Sequence, residues 1–227
     1  MTQRKRINNQ SPVKLPLPRH KPRKMSRDSA KSEQLREKVY DAVVKTLIKR
    51  RSGSFTLDEV AAKIGGSKGI IYYYFKSKGD LLYKLNKYFF DFIEESANVA
   101  AQDPKLNYRQ KLVALIRNYI ITACEHWQLS SVLWKDIALA EVSAGQARVV
   151  TRRRREYINY IAWLVQNIVK EEKLDPVDPK VAALMIFGII VYVPTWYKKG
   201  GRLTPEDVAN YAVKLVFQGI LSKSGSH

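Results

Sequence analysis

Between Phe55 and Phe75 the chain reads FTLDEVAAKIGGSKGIIYYYF, and few architectures accommodate that arrangement. Leu57, Val60, Ala61 and Ile64 recur at helical spacing, two glycines follow, and then Ile71 and Phe75 lie one turn apart. Two short helices joined by a glycine-containing turn are the plan of a helix-turn-helix. If Ile71 and Phe75 face the core shared with the first helix, Gly69, Tyr73 and Lys76 lie roughly opposite, flanked by Tyr72 and Tyr74. The aromatic row is therefore divided between a core and a surface.

The outward part suits a phosphate backbone. Gly69 has no side chain to hold the chain away from an anion, and the amides at Ser67, Lys68 and Gly69 sit at a helix N-terminus, where negative charge is favoured. Tyrosine hydroxyls donate to phosphate oxygens, and their rings pack on thymine methyls. Ser77 and Lys78 open the next helix with further amides and an ammonium, and Thr56 opens the preceding one in the same way.

Around this segment the sequence reads as helices separated by caps, with no alternating strand pattern of useful length. Thr56 with Glu59 forms a capping-box pattern, Ser67 and Ser77 are candidate caps, and Asp178-Pro179 and Thr204-Pro205 each place proline at a first helical position. The pattern predicts helices near 32–50, 56–64, 67–75, 78–101, 107–125, 129–140, 145–172, 179–198 and 205–221. The expected class is all-α, with an amino-terminal three-helix module over 32–84 and a carboxy-terminal helical bundle with a dimer interface over 85–222. Residues 1–31, with Pro12, Pro16, Pro18 and Pro22 among basic residues, read as a flexible tail, and 223–227 as a disordered end.

Charge is distributed to match. Residues 1–31 hold ten Lys/Arg against one acid, 32–84 eleven against six, and 85–227 nineteen against fourteen, so +14 of the net +19 lies in the first third. Such asymmetry points to a polyanionic partner, either nucleic acid or an anionic surface. The amino terminus lacks the apolar stretch of a secretory signal. Val181 to Tyr197 is uncharged but slightly short for a bilayer and contains Pro194, so it is expected to be a buried helix and not a membrane span. One cysteine, Cys124, excludes an intramolecular disulfide and fits a reducing cytoplasm.

The run VAAKIGGSKGIIYYYFKSKGDLL resembles the DNA-binding signature of the TetR family of transcriptional regulators. That resemblance implies a dimer with a four-helix interface on a palindromic operator, and DNA contacts from Thr56, Ser67, Lys68, Gly69, Tyr72, Tyr73 and Lys78, with Ile70 and Tyr74 beside them. Gly66 stands where the family usually has an apolar residue plugging the turn, and Gly79 where a polar one is common. A glycine at 66 implies a loosely packed turn.

The bundle is expected to pair with a second copy through its last two helices, where Tyr211, Leu215 and Phe217 follow the apolar segment. Aromatic residues accumulate there, Tyr119 and Phe187 among them, and Trp127, Trp134, Tyr157, Tyr160, Trp163, Tyr192 and Trp196 are candidates to line an apolar effector cavity. WYKKGGRLTPEDVANYAVKLVFQGI resembles the branch of the family that represses fatty-acid, phenylacetate or steroid catabolism and is released by acyl-CoA thioesters. By that resemblance Arg148 and Arg152 to Arg155 would meet CoA phosphates, although four consecutive helical residues point in four directions and cannot all converge.

No G-x-S-x-G, Walker loop, G-x-G-x-x-G or H-E-x-x-H is present, and three scattered histidines with one cysteine suggest no metal site. Neither catalysis nor a cofactor is expected. The competing readings are a sequence-independent basic nucleic-acid-binding protein, in which the tail does most of the binding, and an enzyme or carrier with a vestigial helix-turn-helix.

Overall fold

The computed structural model of the protein describes residues 27–49, 55–134 and 142–222, and these are helical apart from caps and turns. The helices are α1 (Arg27–Lys49), α2 (Leu57–Lys63), α3 (Lys68–Tyr74), α4 (Lys78–Gln102), α5 (Tyr108–Glu125), α6 (Trp127–Trp134), α7 (Ala144–Glu172), α8 (Pro179–Trp196) and α9 (Pro205–Leu215), followed by a π-helical turn over Val216–Ile220. Apart from its last five residues, 27–31, the expected tail lies outside the described residues, as do the end at 223–227 and the last part of the helix expected over 129–140.

Helix α1 begins at Arg27, earlier than the expected 32, because Ala30 is the one apolar residue in its first turns before Leu35, too little for periodicity to mark. Its buried residues Val39, Tyr40, Val43 and Val44 meet Leu57, Val60 and Ala61 of α2 and Ile71 and Phe75 around α3 in one core. Lys63 Nζ donates to Thr46 Oγ1 at 2.7 Å and fastens α2 to α1.

The turn between α2 and α3 is fixed by its glycines. Gly65 adopts φ +65°, its N–H donates to the Ala62 carbonyl, and the N–H of Gly66 donates to that of Ala61. Those two bonds satisfy carbonyls at the end of α2 in the pattern that favours glycine in the left-handed position. Gly66 does not leave the empty space that its identity suggests. A Cβ there would lie 3.2 Å from Ile64 Cδ1, so the isoleucine at the C-cap of α2 already occupies the place.

Helix α4 runs for 25 residues, about 37 Å at the usual rise, and carries one continuous core from the amino-terminal module into the bundle. Leu81, Leu82 and Leu85 complete the amino-terminal module, while Phe89, Ile93 and Ala97 enter the bundle. Helix α5 is the bundle's centre, packed against α4, α6, α7, α8 and α9 and burying Leu112, Leu115, Ile116, Tyr119, Ile120, Ala123 and Cys124. Arg153 on α7 donates to Glu94 through Nε at 3.0 Å and Nη2 at 2.7 Å, and to Asp91 at 2.8 Å, tying α7 to α4. Glu94 is buried, so removing either partner of that pair would strand a charge.

Within one chain the apolar segment on α8 is buried on one side only, and more apolar surface than a single monomer's core can hide was expected there. Ala182, Ala183, Ile186, Phe187, Ile190 and Val191 face inward, whereas Val181, Leu184, Met185, Tyr192 and Trp196 form an exposed face. An 18-residue helix has only one side against a monomer's core, and composition does not say what covers the other.

Because nothing lies within 4 Å of a Cβ built at Gly65, substitution there tests backbone conformation alone. Gly65→Ala is expected to cost about 1 kcal/mol in urea unfolding and Gly65→Asn clearly less, since asparagine tolerates the left-handed region. Equal losses would place the cost in packing.

Candidate nucleic-acid interface

Side-chain caps distinguish one helix from its neighbours. Each of α2, α4, α5, α7, α8 and α9 starts from a side-chain oxygen that accepts a first-turn amide: Thr56, Ser77, Asn107, Ser143, Asp178 and Thr204. Helix α3 does not. Its N-cap, Ser67, makes no side-chain cap hydrogen bond, which corrects the expectation that its hydroxyl would accept one. The amides of Lys68 and Gly69 are thus left facing outward beside an exposed serine hydroxyl, an arrangement suited to an anionic oxygen.

The face around this end is open. Tyr73 is 83% exposed, Tyr72 51% and Ile70 41%, and Thr56, Ser67, Lys68 and Gly69 are exposed as well. Thr56 carries a full capping box with Glu59: its hydroxyl accepts the Glu59 amide while its own amide donates to Glu59 Oε2. Tyr74 differs from its neighbours. It is half-buried, edge-on to Tyr73 at 5.0 Å, with the Arg36 guanidinium 5.8 Å from its ring centre. Lys78 is half-buried with its ammonium 4.8 Å over the Phe55 ring, which fixes a positive charge at the start of α4.

Lys68 is paired with Asp58 of α2. The hydrogen bond that its ammonium donates to that carboxylate holds it above the ordinary lysine value, so the charge persists at any neutral pH. The pair is solvent-exposed and therefore weak, and a phosphate can compete for the ammonium.

Asp80 joins this module to the bundle, and no sequence motif marked it. Its Oδ2 accepts from the Lys76 amide at 3.0 Å and Lys84 Nζ at 2.9 Å, and its Oδ1 from Gln146 Nε2 at 3.2 Å. Lys84 also donates to the Tyr74 carbonyl at 2.7 Å. One carboxylate thus connects the end of α3, the first turns of α4 and the capping box of α7. Burial by itself would raise the Asp80 pKa, but the bonds from Lys84, Lys76 and Gln146 outweigh it and hold the carboxyl below its usual value.

The candidate effector residues do not converge. Tyr157 and Tyr160 are buried in the core, and Tyr160 stacks on Trp163 at 5.7 Å. Tyr192 and Trp196 lie on the exposed face of α8. Trp127 lines an open groove between α1, α4 and α6 with Glu37, Asp41 and Glu125, and the side chain of Trp134 lies outside the described residues. The bundle interior instead holds a small cavity bounded by Phe89, Phe90, Tyr119, Arg154, Phe187 and Val191. The arginine run is divided as helical geometry requires: Arg153 binds α4, Arg154 faces this cavity, and Arg148, Arg152 and Arg155 are exposed. Cys124 is buried, which pushes its thiol up to about 12, while the exposed His126 stacks on Phe92 at 5.3 Å. Among the described residues no group of His, Cys, Asp and Glu is placed to hold a metal.

Residues 40–85 match the family described as bacterial regulatory proteins, tetR family, and residues 105–220 match the tetracyclin repressor-like C-terminal domain. The chain belongs to the TetR family. It is a TetR-family transcriptional regulator, with the family's all-α fold and amino-terminal helix-turn-helix. It is similar to the fatty acid metabolism regulator protein of Bacillus subtilis, 25% identical over 192 residues that span 82% of this chain and 95% of that protein. In fold it is similar to AibR in complex with isovaleryl coenzyme A and operator DNA, with TM-score 0.70 and 22% identity over 80% of this chain and 97% of that one. The ketosteroid regulator KstR2 of Mycobacterium tuberculosis gives TM-score 0.73 and 20% identity over 83% of this chain and 95% of that one.

The Asp80 junction makes its own pH signature. A carboxyl depressed in the folded state contributes stability above the unfolded value near 4, and loses it as pH falls through the lower folded value. Asp80→Asn is expected to cost about 1–2 kcal/mol at neutral pH. The gap from wild type should shrink as pH falls below about 4 in denaturant titrations. A gap that stays constant there would assign the loss to shape and not to charge.

Proposed function

We propose that the protein is a ligand-responsive repressor that binds a palindromic operator as a homodimer and is released by a small apolar effector. The observation that carries this reading is the outer face of α3: an uncapped helix end, two exposed tyrosines and flanking lysines, all on one side of a helix-turn-helix. In this reading Thr56, Ser67, Lys68, Gly69 and Lys78 hold phosphates, while Tyr72 and Tyr73, with Ile70, reach base edges in the major groove. Tyr74, held under Arg36, acts on the position of Tyr73.

The second copy pairs through the exposed face of α8, with Tyr211 and Leu215 of α9 extending it. These side chains expose apolar surface of the kind that marks an interaction site, and a two-fold axis there joins two pairs of helices. Residues 32–84 then form the DNA-binding unit and 85–222 the effector and dimer unit, in the cytoplasm.

An acyl-CoA thioester is the effector class best supported, because AibR is described with isovaleryl coenzyme A and the Bacillus relative with fatty acid metabolism. Release follows from the sharing of α4. Phe89 and Phe90 bound the internal cavity, and Lys78 and Asp80 on the same helix border α3. A ligand that fits only when α4 stands further from α8 favours a conformer in which the two α3 helices no longer match successive grooves.

Selection from a random duplex pool at physiological salt tests the whole reading; recovery of no palindrome from intact protein would defeat it. Tyr73→Ala should leave stability within about 0.5 kcal/mol and weaken the selected site about tenfold or more. If deletion of residues 1–30 abolishes selectivity while Tyr73→Ala and Lys68→Ala do nothing, the tail and not α3 is the reader. Leu184→Glu combined with Met185→Glu should give a helical monomer in sedimentation, with operator binding lost by at least about a hundredfold as the second half-site contact disappears.

A further inference from the structure

The groove between α1, α4 and α6 has a charge opposite to that of the chain around it. The protein's net charge is +19, yet the groove carries the carboxylates of Glu37, Asp41 and Glu125 against one ammonium, that of Lys199. All three acids are exposed. Asp41 is shared with Lys45 at 2.8 Å in an exposed pair of the weak kind, so it is open to exchange.

Between the acids the groove is aromatic. Tyr40 is buried at its base, and Tyr88 and Trp127 line it half-buried. Tyr40, Tyr88, Phe92 and His126 follow one another at ring-centre spacings of 5.1, 4.8 and 5.3 Å, a row that leads from α1 across α4 to the link between α5 and α6. Burial, and then the carboxylates of Glu37 and Glu33, raise the Tyr88 phenol above its ordinary value, so its ring edge lies in a negative field. The opening measures about 560 Å³, far more than a water fills and enough for a few residues of extended chain.

The same chain carries a segment with the complementary pattern. Residues 1–26 contain eight Lys/Arg and no acid, and within them Leu15, Pro16, Leu17 and Pro18 stand between Lys14 and Arg19. Proline spacing of this kind favours the polyproline helix, which docks in aromatic grooves because little chain entropy remains to be lost. Carboxylates at the edge of such a groove supply partners for the flanking cations. The distances allow the tail to return: Glu37 stands ten residues into α1, about 15 Å from its start, and the eight residues from Arg19 to Arg27 span up to about 25 Å.

We propose that the groove between α1, α4 and α6 seats the protein's own residues 14–19, with prolines and leucines against Tyr88 and Trp127, and Lys14 and Arg19 against Glu37, Asp41 and Glu125. While seated, the tail's cations are withheld from DNA. That consequence rests on the DNA-binding reading above; the seat itself does not. None of the groove's residues belongs to α3, so a seated tail leaves the reading face open and restrains sequence-independent binding alone.

The test is photo-cross-linking of the full-length protein with benzoylphenylalanine in place of Leu17, the linked residues being read by mass spectrometry. Links within one chain to the groove's residues on α1, α4 and α6 are expected. Glu37→Gln, Asp41→Asn and Glu125→Gln together should lower their yield about fivefold or more, and so should Pro16→Ala with Pro18→Ala, which alters nothing in the helical core. Random-sequence duplex at low salt should bind the triple carboxylate variant about 3- to 10-fold tighter than wild type, and that gain should disappear when residues 1–24 are removed from both.

Links scattered over the surface, or a yield that neither set of substitutions changes, would overturn the seat whatever the duplex result. Links between two chains would overturn the own-chain seat and give the groove to the second copy's tail. A gain in duplex affinity that survives removal of residues 1–24 is the general effect of lost negative charge; that result, or no gain at all, would defeat the withholding. Wild-type protein that binds no duplex defeats the DNA-binding reading and leaves the seat to be decided by the cross-links.

Discussion

Helix α4 cannot satisfy its two ends independently. Leu81, Leu82 and Leu85 are fixed in the core that carries α3, and four residues later Phe89 begins the wall of the bundle cavity. A hydrogen-bonded helix is stiff over that distance, so movement at the phenylalanines is passed to the leucines with little loss. The polar attachments lie at matching positions: Asp80 accepts from Gln146 near one end, and Arg153 grips Asp91 and Glu94 further along, both from α7. Helix α7 therefore sets the position of α4 by one amide-to-carboxylate hydrogen bond and one arginine clamp.

Unsatisfied donors mark the places where the molecule has something to meet. The other described helix starts with assigned caps spend a side-chain oxygen on their own amides, and α3 does not. Most buried polar groups of the bundle are paired, yet Arg154 Nε, the Tyr157 hydroxyl and Asn98 Oδ1 are not. At α3 the open donors face solvent and cost little. Inside the bundle the same deficit costs more, because burial removes the water that would otherwise pair with them.

Much of the amino-terminal module was legible because its signals are local. The Thr56–Glu59 box, the glycine turn and the split of Ile71 and Phe75 from Tyr73 depend on residues within a few positions of one another. The start of α1 was misplaced for the complementary reason: its first turns hold Ala30 alone for periodicity to detect. In the bundle, composition identified an aromatic-rich domain but misjudged its geography. Tyr157 and Tyr160 look like Tyr192 and Trp196 in sequence, yet one pair is buried and the other exposed, because the first faces α5 and α8 while the second lies on the outer side of α8.

By itself the sequence determined the helical class, the helix-turn-helix, the residues on the outer face of α3 and the family, since each follows from short-range spacing and capping chemistry. Only the tertiary structure decided which arginine of a run of four faces the cavity, that Asp80 answers Gln146 from 66 positions away, and which half of α8 stays uncovered. Those facts depend on how helices distant in the chain are rotated against one another. A helix's own sequence gives its period but not the phase at which a neighbour meets it.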